Sequence, residues 1–162
     1  MVNSQQLPAQ EPLEPTASLL WPLWDLSAPI VQGFGDNAEF YKRFGQNGHN
    51  GIDIAVAMQP VKAMSDGVIR FAGNGAEEPL MGNAAGECIL LVHPDGLQSG
   101  YAHLHSIFVE AGNTVKAGDV IAISGNTGAT TGYHLHAEVL GYPLDLKNGY
   151  FGRIDPLPLL GM

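Results

Sequence analysis

Tyr133-His134-Leu135-His136-Ala137-Glu138-Val139 is the stretch whose reading decides the fold. Polar and apolar side chains alternate along it, the period of a half-buried β-strand. That sends His134, His136 and Glu138 to one face and Leu135, Ala137 and Val139 to the other. At roughly 3.3 Å per strand residue, the two imidazoles stand about 6 to 7 Å apart, so one can hold a metal ion while the other reaches a substrate or the water on it. A strand with chemistry on one face needs neighbours to cover the other.

Working outward, short apolar runs recur at 52–57, 61–63, 67–72, 87–93, 98–104, 107–110 and 120–124. Between them lie Asp66-Gly67, Pro94-Asp95-Gly96, Gly112-Asn113, Gly118-Asp119 and Gly125-Asn126, the residues that tight turns require. The 21 glycines and 11 prolines favour turns over long helices. The expected fold is all-β: a compact, twisted antiparallel sheet, sandwich-like, with long loops forming a groove and little helix. Asp36 is expected to cap one short helical turn over 36–44. Residues 73–86, glycine-rich and weakly patterned, are expected to form a mobile loop.

The chain of 162 residues is long enough for one domain with a real core. Residues 1–17, rich in Pro, Gln and Glu, read as a flexible tail, and 18–162 as the domain. A net charge of -9 with 7 Lys and Arg argues against nucleic acid or an anionic membrane surface as partner, leaving a substrate that is neutral, cationic or free of phosphate. No run reaches the roughly 18 apolar residues of a membrane span. The start of the chain has neither the basic nor the apolar region of a secretory signal, which fits a phage or lysis protein or a chain trimmed of its leader. The single cysteine, Cys88, lies in an apolar strand and reads as a buried, inert thiol. Trp21 and Trp24 read as an anchor packing the entry segment onto the domain. His93, before a Pro-Asp-Gly turn, reads as structural.

Gly48-His49-Asn50-Gly51-Ile52-Asp53 makes sense only beside the opening stretch. On a straight strand, His49 and Asp53 would stand about 13 Å apart, too far for one ion. The chain is therefore expected to bend between them, with Gly51 permitting the bend. His49, Asp53 and one histidine of the His134/His136 pair then form the three-ligand set of a catalytic zinc, which leaves a fourth position for water. The other histidine of the pair and His103, in Tyr101-Ala102-His103-Leu104, flank that water as neutral imidazoles able to take its proton. Glu138, on the face of His136, reads either as support for that ligand or as a solvent-facing strand residue.

These segments, with Ser65-Asp66-Gly67-Val68, Val92-His93-Pro94-Asp95-Gly96 and Gly125-Asn126-Thr127-Gly128, occur in an order that resembles the lysostaphin-like zinc endopeptidases of bacterial cell walls. The likeness runs from about residue 33 to 138. It implies one zinc held by His49, Asp53 and His136, with His134 and His103 acting on the water and the tetrahedral intermediate. It implies cleavage of peptide bonds in peptidoglycan stems or cross-bridges, outside the cytoplasm, by a chain expected to be monomeric. Tyr133 and Ala137 stand where the family usually has Pro and Phe. Tyr133 is therefore expected to narrow the groove or touch substrate. His105, two residues from His103 and expected to share its face, is a second candidate for substrate contact.

Two other readings belong to other classes. A non-catalytic module that activates a peptidoglycan amidase would share the fold, and the intact ligand set argues against it. A lipoyl or biotinyl carrier domain is suggested by the turn-strand pattern over 109–121. Such a carrier needs a lysine at a hairpin tip, and Lys62 lies in a strand pattern instead.

Overall fold

The computed structural model describes residues 18–161. The tail expected over 1–17 lies outside the described residues. The strands are β1 (Leu19–Leu20), β2 (Ile30–Gln32), β3 (Ile52–Ile54), β4 (Pro60–Lys62), β5 (Gly67–Asn74), β6 (Glu87–Val92), β7 (Gln98–Ile107), β8 (Thr114–Val115), β9 (Val120–Ser124), β10 (Leu135–Leu140), β11 (Arg153–Ile154) and β12 (Leu160–Gly161). Ten of them form one sheet of central order β2-β3-β10-β7-β6-β5-β8, with β11 on β10 and β9 joining β7 to β4. Every pairing in that sheet is antiparallel. β1 and β12 pair in parallel and bring the two ends of the described chain together. The all-β expectation holds, and the helical content among the described residues is one α-helical turn, α1 (Ala38–Tyr41), with four short 3-10 turns.

The strand read over 133–139 runs from Leu135 to Leu140, with His134 held by an isolated bridge to Gly125, and it is buried on both faces where a half-buried strand was expected. Leu135, Ala137 and Val139 enter the main core with Ile52, Ile54, Ile89, Tyr101 and Trp21. His136 and Glu138 take the opposite face, and all six residues of β10 are buried. A smaller cluster of Ala85, Cys88 and Ala102, with Phe71 and Met81 against it, lies apart from the main core. Cys88 is fully buried there, and burial pushes its thiol up to about 12, as an inert core residue requires.

Several expectations are corrected. The run 98–104 continues to Ile107 as one strand, β7, and residues 108–110 lie in no strand; β7 is bulged at His105, where Leu104 and Ser106 face the adjacent residues Ser124 and Ile123 of β9. Over 73–86, β5 extends to Asn74 and two 3-10 turns follow, Gly75–Glu77 and Asn83–Ala85, the first capped by the Asn74 side chain. Asp36 does not cap α1: its carboxylate accepts from Gly33 N–H at 2.7 Å, and Asn37, in the left-handed region, occupies the cap position. Trp21 is the buried anchor, but Trp24 is 65% exposed, with the Lys62 ammonium over its ring at 4.2 Å. Lys62 itself lies in β4, at no hairpin tip, which removes the carrier-domain reading.

Candidate metal centre

His49 sits in the loop before β3. Its own backbone is bonded on both sides, His49 N–H to Asp36 O and Gly35 N–H to His49 O, each at 2.8 Å. The chain bends over 50–51 into β3, where Asp53 pairs directly with His136 of β10. Gly51 is needed there for a reason other than the one expected. Its backbone is not left-handed, but a Cβ on it would lie 2.5 Å from Ala137 O and 2.8 Å from His136 Cε1. Close approach of two strands requires the glycine.

The three side chains converge. His49 Nε2 stands 3.2 Å from His136 Nδ1 and 3.3 Å from Asp53 Oδ1, and His136 Nδ1 stands 2.9 Å from Asp53 Oδ1. Ligand atoms about 2.0–2.1 Å from a tetrahedral zinc are about 3.3 Å from each other, so the triangle has the size of a tetrahedral face. The proton positions sharpen this. His49 Nδ1 faces Gly33 O at 3.1 Å, and His136 Nε2 faces Glu138 Oε2 at 2.9 Å. Those oxygens only accept, so the protons sit there, and the nitrogens aimed at each other and at Asp53 both carry lone pairs. Three acceptor atoms facing one another inside a buried site call for a cation between them. The residues present therefore fit a metal ion.

Where no metal screens them, a proton takes that role. Burial alone would lower the pKa of His136, but hydrogen bonds to the carboxylates of Asp53 and Glu138 lift it to about 9. Burial likewise opposes ionisation of Asp53, yet the hydrogen bond and charge of the protonated His136 hold it well below the usual carboxylate range. Glu138 is buried too, and the charge of Arg153 leads the effects that bring it down to about 2. Of the two readings open for Glu138, support for the ligand is the one the structure realises.

His134 and His103 stand beside the triangle, ring centroids 4.7 Å apart. His134 Nδ1 faces Gly132 O at 2.9 Å, and its Nε2 lies 3.6 Å from Asp53 Oδ1. His103 reaches this face through a bulge: Tyr101 and Leu104 of β7 face Ile89 and Glu87 of β6, one residue more on β7 than on β6. Both Ala102 and His103 then line the cleft, while Tyr101 and Leu104 stay in the core. His103 has φ 59°, left-handed for a residue with a Cβ, a conformation that costs about 1–3 kcal/mol and clusters at functional sites. Its Nδ1 faces Thr127 O at 2.7 Å, and burial pushes its pKa down to about 4. Both imidazoles thus offer Nε2 as an acceptor.

The site opens into a cleft of about 680 Å³ whose walls include Phe40, Tyr41 and Phe44 on one segment and Ala84, Ala129 and Thr130 from others. A second hollow, of about 280 Å³, continues past Asp53 and His134 and is lined by Val31 and Tyr133. Tyr133 is 54% exposed at that rim. His105 is not brought to the cleft: the bulges of β7 break the alternation that would align it with His103, and it points to solvent. His93 is buried and bonded to Asp66 O and Ser99 Oγ, away from the site.

The model of Peptidase family M23 matches residues 47–146, a span that contains His49, Asp53, His103, His134 and His136. The chain belongs to this family. Among similar M23 proteins, it is 39% identical over 100 residues to the DD-carboxypeptidase/endopeptidase Mpg of Neisseria meningitidis serogroup B, covering 60% of this chain and 21% of that one. It is 38% identical over 113 residues to the peptidoglycan DD-endopeptidase ShyA of Vibrio cholerae, covering 68% and 25%. It is also 32% identical over 117 residues to the murein hydrolase activator NlpD of Salmonella typhimurium, covering 72% and 27%. The chain thus spans about a quarter of the length of these relatives. The fold is lysostaphin-like: the catalytic domain of lysostaphin from Staphylococcus simulans superposes with a TM-score of 0.65 at 32% identity, covering 81% of this chain and 90% of that one. A zinc containing peptidase from Vibrio cholerae superposes with 0.67 at 26% identity, covering 90% and 40%.

Two residues that brace the site were given no individual role in the sequence reading. Thr127 O orients His103, while its hydroxyl donates to Leu104 O at 2.7 Å and accepts from Glu87 N–H at 3.1 Å. Its place in Gly125-Asn126-Thr127-Gly128 was a usable signal. Arg153 comes from the C-terminal segment, to which the sequence reading assigned no role, and is buried. Its signal is its rarity, as one of 7 Lys and Arg residues in the whole chain.

Proposed function

We propose that this chain is a zinc-dependent endopeptidase that hydrolyses peptide bonds in the stem peptides or cross-bridges of bacterial peptidoglycan, acting as a single chain outside the cytoplasm. The observation that carries this is the triangle of lone pairs from His49, Asp53 and His136, with two fixed imidazole acceptors beside it at the head of a cleft. The names of Mpg, ShyA and lysostaphin support a peptidoglycan substrate.

His49, Asp53 and His136 would hold the zinc, which when bound supplies a Lewis acid that polarises the scissile carbonyl and acidifies water. Asp53 is the one anionic ligand, so the centre keeps net positive charge. His134, anchored through Nδ1–H, presents Nε2 to the attacking water and takes its proton. It then carries that proton on Nε2 toward the departing amine. His103, anchored on Thr127 O, has no proton on Nε2 to give a carbonyl oxygen while neutral. Its supported role is to accept the second hydrogen of the attacking water and aim it. The cleft aromatics and Tyr133 would bind the peptide on either side.

Purified peptidoglycan incubated with the protein is expected to release new amino termini. His134→Ala should reduce the rate by about 10²–10⁴-fold, and undiminished release by that variant would reject the assignment. The match to NlpD keeps a second reading in play, an activator that binds an amidase without cutting murein itself. In that case the protein alone would release nothing.

A further inference from the structure

We infer that Arg153 is a positioning residue for the metal ligand His136, acting through Glu138. The inference rests on the metal-centre reading above. Arg153 lies outside the segment matched by the M23 model, on β11, directly across from Leu140 of β10. Its exposure is 4%, and its guanidinium is bonded on every side. Nε and Nη2 donate to Glu138 Oε1 at 3.0 and 2.8 Å, Nη1 donates to Phe151 O at 3.0 Å, and Nη2 also donates to Leu80 O.

The carboxylate of Glu138 is thereby divided. One oxygen belongs to Arg153, and the other, Oε2, accepts the Nε2–H of His136 at 2.9 Å. The terminal torsion of a glutamate is soft, with no staggered wells to fix it. The two-pronged grip of Arg153 supplies the missing constraint, and the plane of Glu138 then sets the plane of the His136 ring and the direction of its Nδ1 lone pair. The neighbouring strand makes room for this. A Cβ on Gly100 would lie 2.6 Å from Glu138 Cγ. Through Leu80 O, Arg153 also fastens the segment beside Met81 and Ala84, which line the cleft. The C-terminal segment is locked in turn by Asn148, whose amide donates to Arg153 O at 2.8 Å and accepts from Tyr150 and Gly152 N–H at 2.9 and 3.0 Å.

The test compares zinc affinity, by competition with a chelator, in the full chain and in the R153M, R153K, N148A and D53A variants. Melting of each zinc-free protein shows whether it is folded, and cobalt(II) absorption reports the ligand field. Removing a residue that orients a metal ligand weakens metal binding about 10- to 100-fold. That loss is expected for R153M, with partial recovery in R153K, whose single ammonium lacks the fork, and a displaced cobalt spectrum in R153M. A folded R153M that binds zinc as tightly as the parent, with an unchanged cobalt spectrum, overturns the inference. Should R153M not fold, N148A decides: weaker zinc binding supports the inference and parental affinity overturns it. If instead D53A binds zinc like the parent, the metal-centre reading fails, and this inference fails with it.

Discussion

Gly51 shows how narrowly the site is built. A methyl group there has to displace Ala137 O or the His136 ring, at 2.5 and 2.8 Å. Gly51→Ala is expected to cost about 1–3 kcal/mol in urea unfolding, the range of overpacked cores, and to weaken zinc binding because the His136 ring it crowds belongs to the candidate ligand set. Stability equal to the parent would show that the strands have slack. The structure brings together His49, Asp53, His103, His134 and His136, residues singled out in the sequence by the order of motifs that resembles the lysostaphin-like family, since spacing alone left open which histidine of the His134/His136 pair would face an ion. The side on which β7 presents His103 and His105 was not legible. Alternation assigns both to one face, and a left-handed residue with a Cβ leaves no mark in the sequence. Arg153 was unreadable for a related reason: its partner Glu138 lies 15 residues away across an irregular segment, and no local pattern links them.

Strand β7 carries a second chain of hydrogen bonds on its core side. Met64 N–H donates to Tyr101 Oη at 2.8 Å, Tyr101 bonds Ser99 Oγ at 2.9 Å, and Ser99 bonds His93 Nε2 at 2.9 Å. His93 Nδ1–H closes it on Asp66 O at 2.8 Å. Tyr101→Phe leaves a buried Met64 N–H without an acceptor and is expected to destabilise the fold by about 1–3 kcal/mol, with zinc affinity unchanged. A loss of zinc binding would mean that the two faces of β7 are coupled. Burial also pulls the pKa of His93 down. The folded protein then binds fewer protons than the unfolded chain, whose histidine titrates near about 6.5, so stability falls as pH drops below about 6.5. Part of that slope should disappear in His93→Gln. Most strands were legible from their apolar runs and turn residues. Ends and bulges were set by partner strands, and so escaped a reading along the chain.

At the scale of the molecule, the antiparallel pairing of β3 with β10 brings together two segments more than 80 residues apart, Asp53 with the loop before it that carries His49, and His136 with the residue His134 just before β10. The all-β class and the groove followed from composition and pattern, whereas closure of the two ends by β1 and β12 depends on contacts between the extremes of the chain. No helix among the described residues is long and apolar enough to cross a membrane. The chemistry of the site turns on the cation. In the metal-free protein, His136, raised to about 9, carries a proton at neutral pH that a metal must displace. Metal affinity should therefore rise with pH up to about 9, roughly tenfold per unit for one proton, and level off above it. The direct measurement is calorimetric titration of the metal-free full chain with zinc at pH 7, in two buffers of different ionisation enthalpy. One zinc per chain with release of about one proton, and no binding by Asp53→Ala, is the predicted result. The absence of stoichiometric zinc binding, or binding that Asp53→Ala leaves intact, would contradict it.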